Sequence, residues 1–124
     1  MAAWTSEELN NIAAAEELKL ASARRGGALR KPVTIWVVRH GDDLYVRSWR
    51  GRNSAWFLVV QDRHEGHISA GSVDKDVLFV EPDDDVNDEI DAAYHAKYDR
   101  YSARYVDPMV DPKARAATIR LAPR

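Results

Sequence analysis

The stretch Val33–Trp49 constrains the fold more than any other. It reads as two extended runs, Val33–Arg39 and Leu44–Trp49, around His40-Gly41-Asp42-Asp43. β-Branched and aromatic residues suit a pleated, packed surface. Gly41-Asp42-Asp43 is turn chemistry, so the two runs are expected to close into a hairpin. Val33–Val38 is apolar on both faces, which predicts a central strand covered on both sides. Pro32 lacks an N–H and belongs at a strand entrance or edge. Arg30, Lys31, Arg39, Arg47, Arg50 and Arg52 sit in or beside these runs, interleaved with Trp36, Tyr45, Trp49 and Trp56. A hairpin edged with guanidinium and indole groups could hold an anionic, planar ligand. It could equally be an ordinary barrel wall with a solvated rim.

The flanking segments supply the remaining elements. Thr5 and Glu8 have the spacing of a capping box, and Trp4 and Leu9 that of a hydrophobic staple, so a helix is expected from Ser6 to about Ala15. Glu17–Ala23 alternates as a half-buried strand, and Arg25-Gly26-Gly27 is a turn. Gly51–Ser54 reads as a loop. Ala55–Val60 is an apolar run best taken as a strand or a short helix-to-strand element. Strands are expected at His67–Ala70, Val77–Val80 and Ala116–Leu121. Asp83–Tyr101 is a long helix, with Asp84 or Asp85 as its cap and Val86, Ile90, Ala93, Tyr94, Lys97 and Tyr101 on one stripe. Val106–Pro112, with its two Asp-Pro steps, reads as a loop.

At 124 residues the chain is one domain, 1–124, long enough to bury a core without staples. It contains no cysteine, which excludes disulfides, thiol catalysis and thiolate metal sites and fits a cytoplasmic protein. No signal-peptide pattern opens the chain, and no apolar run approaches the ~20 residues of a membrane span. The net charge is −2, unevenly spread. Eight cations face only Asp42 and Asp43 between Arg24 and Arg52, whereas Glu81–Asp91 holds seven carboxylates and no cation. That segregation could steer an anionic ligand or pair two subunits, or be solvated surface. A nucleic-acid partner is not expected, because the domain is not basic and no binding motif is present.

Several short motifs, in order, resemble one family. They are W-x-x-E-E-L at Trp4–Leu9, P-V-T-I-W-V-V-R at Pro32–Arg39, L-Y-V-R-S at Leu44–Ser48, and Gly51 with Trp56. I-D-A-A-Y-H-A-K-Y at Ile90–Tyr98 and A-T-I-R-L at Ala117–Leu121 complete the set. Together they resemble the domain of unknown function 2255 family, which looks related to the split β-barrel flavin-binding proteins. Those include pyridoxamine-phosphate-oxidase-like enzymes and deazaflavin-dependent nitroreductases. The resemblance implies a Greek-key barrel, often a homodimer, with FMN or coenzyme F420 at the subunit interface. No catalytic motif of either enzyme group is matched, so no catalytic residue is carried over.

Within that frame, Arg47, Ser48 and Arg52 are expected to hold a phosphate, with Trp56 as a platform for a ring system. Guanidinium forks match phosphate oxygens two at a time. The competing reading pairs Arg47 with a carboxylate or stacks it on Trp36. Lys97, near Tyr94 and Tyr98, could reach an anion at the barrel mouth, or snorkel and pair with an acid. Asp91 and His95 have i, i+4 spacing, better explained by a helix-face ion pair than by a metal. His64-Glu65-Gly66-His67 is expected to be exposed, and no serine lies in a nucleophile elbow.

The expected architecture is mainly β, of the α+β class. It is a small split β-barrel of about six or seven mostly antiparallel strands, with an N-terminal helix and one long inserted helix. The expected function is a small oxidoreductase using FMN or coenzyme F420. The alternative is a non-enzymatic binding or dimerisation module that keeps the barrel without a cofactor.

Overall fold

Seven strands, all paired antiparallel, form one curled half-barrel sheet among the described residues. The computed structural model describes residues 3–24 and 26–124. The strands are β1 (Leu18–Ser22), β2 (Val33–Ile35), β3 (Val38–His40), β4 (Asp43–Arg47), β5 (Glu65–Ala70), β6 (Val73–Val80) and β7 (Thr118–Pro123). Their order across the sheet is β2-β1-β5-β6-β7-β4-β3. Five α-helices accompany them: α1 (Ser6–Ala14), α2 (Ala55–Arg63), α3 (Asn87–Tyr98), α4 (Ala103–Val110) and α5 (Pro112–Arg115). The α+β class and the antiparallel sheet are as expected from the sequence.

Helix α1 begins at the expected capping box. The Glu8 N–H donates to Thr5 Oγ1 at 3.1 Å, and the Thr5 N–H donates to Glu8 Oε1 at 2.9 Å. Trp4 and Leu9 are both buried, and the Trp4 indole N–H donates to the Leu121 carbonyl at 2.9 Å. Leu9 and Ile12 of α1 and Phe57 and Val60 of α2 fill the half-barrel against Leu18, Leu20, Leu44, Val46, Ile68 and Leu121. A second cluster lies on the other side of β3 and β4. There Val38 and Tyr45 pack under Ile90, Tyr94 and Tyr98 of α3 and Val106 and Met109 of α4.

Four local expectations are corrected. Val33–Val38 is not one central strand: it breaks at Trp36-Val37 into β2 and β3, which lie at opposite ends of the sheet order. Its apolar character on both sides comes from helix packing where the chain crosses between the two edges. The hairpin onto β4 forms as expected, with His40 opposite Asp43 and Gly41 at φ 61°. Ala55–Arg63 is a helix, because Phe57 and Val60 are buried at helical spacing while Leu58 faces outward. It stops at His64, which takes the left-handed conformation at φ 56°.

The long helix is shorter than the span 83–101. A 3₁₀ turn at Asp84–Val86 precedes α3, and none of these aspartates makes a side-chain cap bond. Val106–Pro112 is not a loop. Pro108 lies inside α4, held by the buried Val106 and Met109. The second Asp-Pro step opens α5: Asp111 Oδ1 accepts from the Ala114 N–H at 2.9 Å, with Pro112 in the first turn, where its missing N–H costs nothing. Of the turn expected at 25–27, Arg25 lies outside the described residues, and Gly26 and Gly27 take positive φ.

Candidate functional site

A cleft of about 910 Å³ opens where three pieces of chain converge: the β2 edge through Trp36, the segment Ser48–Trp56, and α4. The Ser48–Trp56 segment turns sharply at Gly51, whose φ is 84°. A Cβ there would come within 2.5 Å of the Lys113 side chain, so glycine lets the segment fold back against α5. Ser48 and Ser54 pin the two ends of that turn, with Ser48 Oγ donating to Ser54 Oγ at 2.7 Å.

Each of two walls carries an arginine stacked on its neighbour in sequence. The Arg50 guanidinium lies over the Trp49 ring at 4.8 Å, and that of Arg104 over the Tyr105 ring at 5.7 Å. Trp49 and Tyr105 are 52% and 57% exposed, the largest exposures of big apolar side chains among the described residues. Neither Arg50 nor Arg104 makes an ion pair with a carboxylate among the described residues. Stacking holds a guanidinium by its face and leaves its N–H edge free for an anion. Trp36 forms the third wall and lies parallel to Tyr98, with ring centroids 3.9 Å apart and an interplanar angle of 2°.

The five residues expected at a site are dispersed. Arg47, Ser48 and Trp56 line the cleft. The Arg47 side chain is nonetheless fully buried, and protein acceptors take all its donors. Nε donates to Thr118 Oγ1 at 2.9 Å, and Nη1 to Asp91 Oδ1 at 2.5 Å and the Met109 carbonyl at 2.9 Å. Nη2 donates to the Asn87 carbonyl and Oδ1, both at 3.2 Å. The ring beneath the guanidinium is Tyr94, at 5.5 Å. Arg52 and Lys97 do not line the cleft. Arg52 donates to Glu81 Oε1 and the Ala116 carbonyl, each at 2.7 Å. Lys97 Nζ donates to the Val37 carbonyl at 2.7 Å, and burial lowers its pKa to about 8.

Arg104 and Tyr105 fall between the helix expected to end at Tyr101 and the loop expected from Val106, so the sequence reading assigns them to no element. The usable signal was Ser102, whose Oγ accepts from the Arg104 N–H at 3.1 Å, followed by Val106 and Met109 at helical spacing. Other candidates resolve into ion pairs. His95 pairs with Asp99 at 2.8 Å rather than with Asp91, which binds Arg47 and Arg115. His67 lies between Asp76 and Asp74, and its pKa is raised chiefly by its hydrogen bond to Asp76. Among the described residues no group of three or more histidines and carboxylates is placed to hold a metal ion. No helix there is long and apolar enough to cross a membrane.

Comparison with family models gives the family, and comparison with solved structures gives the fold. The profile of DUF2255, described as an uncharacterized protein conserved in bacteria, matches residues 8–121. No curated protein matches the sequence. Among solved structures, the conserved hypothetical protein Rv2991 from Mycobacterium tuberculosis superposes with a TM-score of 0.66 at 12% identity. That match covers 100% of this chain and 82% of the other. An F420 reductase superposes with a TM-score of 0.59 at 13% identity, covering 93% of this chain and 91% of its own. At such identities the likeness is one of fold.

Proposed function

The chain belongs to the DUF2255 family, and from that premise we propose that it binds a planar, phosphorylated redox cofactor of the coenzyme F420 or FMN class, as a small oxidoreductase. The observation that carries the reading is the cleft itself. It brings Arg50 and Arg104, both without a carboxylate partner among the described residues, to the same opening as Trp36, Trp49, Trp56 and Tyr105. Its volume falls in the range of small-molecule and cofactor sites, about 300–1,000 Å³. The fold likeness to an F420 reductase supports the same reading.

The chemistry of the donors fits such a ligand. Arg50 and Arg104 take the phosphate, because stacked guanidiniums keep their N–H edges for oxygens. Asn53 and Ser54, whose hydroxyl accepts from Ser48 and keeps its own proton, add neutral donors at the turn, and Trp36 and Trp56 offer apolar ring faces. Arg47 serves from below: its internal hydrogen bonds fix the floor of the cleft. When bound, the cofactor supplies the hydride or electron transfer, and the protein supplies binding, orientation and shielding from water. A homodimer and a cytoplasmic setting belong to the same proposal.

Equilibrium dialysis and absorbance titration of the purified protein with F420 and with FMN test this. Saturable one-to-one binding of either, weakened by salt as a phosphate contact requires, is the expected result. A chain that binds neither at roughly 100 μM, an interaction weaker than about 5.5 kcal/mol, is instead the non-enzymatic module.

A further inference from the structure

The break between β2 and β3 places an unusual demand on the backbone. Two strands adjacent in sequence occupy opposite edges of the sheet, and only Trp36-Val37 joins them. Val37 therefore lies outside the strand ladder, yet it is 0% exposed. Buried backbone groups left without partners are costly.

Two neighbouring side chains of α3 meet that demand: Lys97 Nζ donates to the Val37 carbonyl at 2.7 Å, and Tyr98 takes the N–H. The Tyr98 hydroxyl accepts from the Val37 N–H at 3.2 Å. It donates toward the Glu16 carbonyl at 2.8 Å, with the Val37 carbonyl at 3.1 Å. The ring of the same residue lies flat against Trp36. Tyr98 is itself fully buried and does not line the cleft, whereas Trp36 and Glu17 do. The tyrosine thus grips the crossing by its backbone and its indole together, and ties it to the residue preceding Glu17.

We infer that Tyr98 is a positioning residue for the cleft: it holds the Trp36 indole as a wall and so sets ligand affinity without touching the ligand. The claim rests on the cofactor reading for its ligand, but its mechanical half stands on the unliganded protein. Removing the hydroxyl alone frees the Val37 N–H, lets the crossing shift, and moves the indole that faces the ligand. Coupling of this kind shows as non-additivity between Tyr98 and Trp36.

The test compares wild type, Tyr98→Phe, Trp36→Phe and the double variant, at a temperature where all are folded. Two readouts are taken: the indole ¹⁵N–¹H signal of Trp36 without ligand, and the affinity for F420 and FMN. Tyr98→Phe is expected to shift or broaden the Trp36 signal and to weaken binding about tenfold, as loss of one hydrogen-bonding group does. In the Trp36→Phe background the same substitution is expected to change affinity little. Ile68→Val, a core change remote from the cleft, is expected to lower stability and leave both readouts alone. An unchanged Trp36 signal in Tyr98→Phe overturns the inference. So does an affinity loss of equal size in both backgrounds. If wild type binds neither cofactor, the cofactor reading fails, and the Trp36 signal by itself decides whether Tyr98 positions the indole.

Discussion

The Arg47 guanidinium and the Asp91 carboxylate meet at 2.5 Å, joining β4 to the helix that covers it. Asp91 also accepts from Arg115 at 2.9 Å, and Arg115 reaches Asp88 at 3.0 Å, so the pair anchors a short chain of charges. Removing one partner of a buried pair leaves the other charge uncompensated, at a cost of about 3–5 kcal/mol. Arg47→Ala should approach that range: Asp91 keeps Arg115, but the Asn87 and Met109 carbonyls lose the guanidinium donor and the fully buried side chain leaves a cavity. Asp91→Asn, which keeps an acceptor, should cost less. Urea unfolding midpoints check the order, and a smaller loss in Arg47→Ala than in Asp91→Asn contradicts it.

Gly66 of β5 leaves no room for a side chain against β1. A Cβ there would lie 2.2 Å from the Ala21 carbonyl oxygen and 2.9 Å from the Phe79 ring. Neither neighbour is the far end of a flexible chain, so the strand pair must separate. Gly66→Ala is expected to destabilise by about 1–3 kcal/mol, as overpacking does. Thermal unfolding would show this, and a variant as stable as wild type would mean the strands yield freely.

Burial lowers the Lys97 pKa from 10.5 to about 8. Between those values the unfolded chain holds a proton that the folded protein has released, so stability rises with pH there. The tyrosines act in the opposite sense. Burial raises Tyr94 and Tyr98 above 10.0, so above about pH 10 the unfolded state loses protons that the folded state keeps, and stability falls. The rise is therefore confined to about pH 8–10. Unfolding midpoints across that window should climb in wild type and flatten in Lys97→Met. An equal slope in both assigns the effect elsewhere.

His67 shifts the other way. Its hydrogen bond to Asp76 is the largest cause raising its pKa above 6.5; burial opposes that rise, and the Asp74 hydrogen bond adds to it. A raised histidine contributes stability that is complete below about pH 6.5 and is lost as pH rises through the folded value. In an NMR titration the His67 ring should titrate above 6.5 and fall back toward it in Asp76→Asn. A value at or below 6.5 in wild type contradicts the geometry.

The sequence was most legible where one local rule governed the outcome. The Thr5–Glu8 box, the turn at Gly41-Asp42 and the strand expected over Glu17–Ala23 depend on neighbours in the chain, and all three stand in the structure, the strand as Leu18–Ser22. Val33–Val38 misled because apolarity on both faces reports burial, not which element does the burying. The β2–β3 break is fixed by Tyr98 and Lys97, about sixty residues away. Ala55–Val60 misled because β-branched valines sit in a helix held by Phe57 and Val60. Asp111-Pro112 looked like a loop although the same pair makes a good helix start. The candidate site follows the same pattern. Ser48 and Trp56 reach the cleft from the hairpin region, where spacing was informative. The fate of Arg47 hinged on Asn87, Asp91, Met109 and Thr118, all brought in by tertiary folding.

The central claim is that Arg50 and Arg104 present free guanidinium edges to a phosphorylated, planar ligand. Isothermal titration of F420 and FMN into wild type, Arg50→Ala, Arg104→Ala and the double variant tests it most directly. Each single substitution is expected to weaken binding by roughly 10–100-fold, the size of a lost charge-assisted contact, with the unfolding midpoint unchanged. Wild-type affinity retained in the double variant would contradict the account.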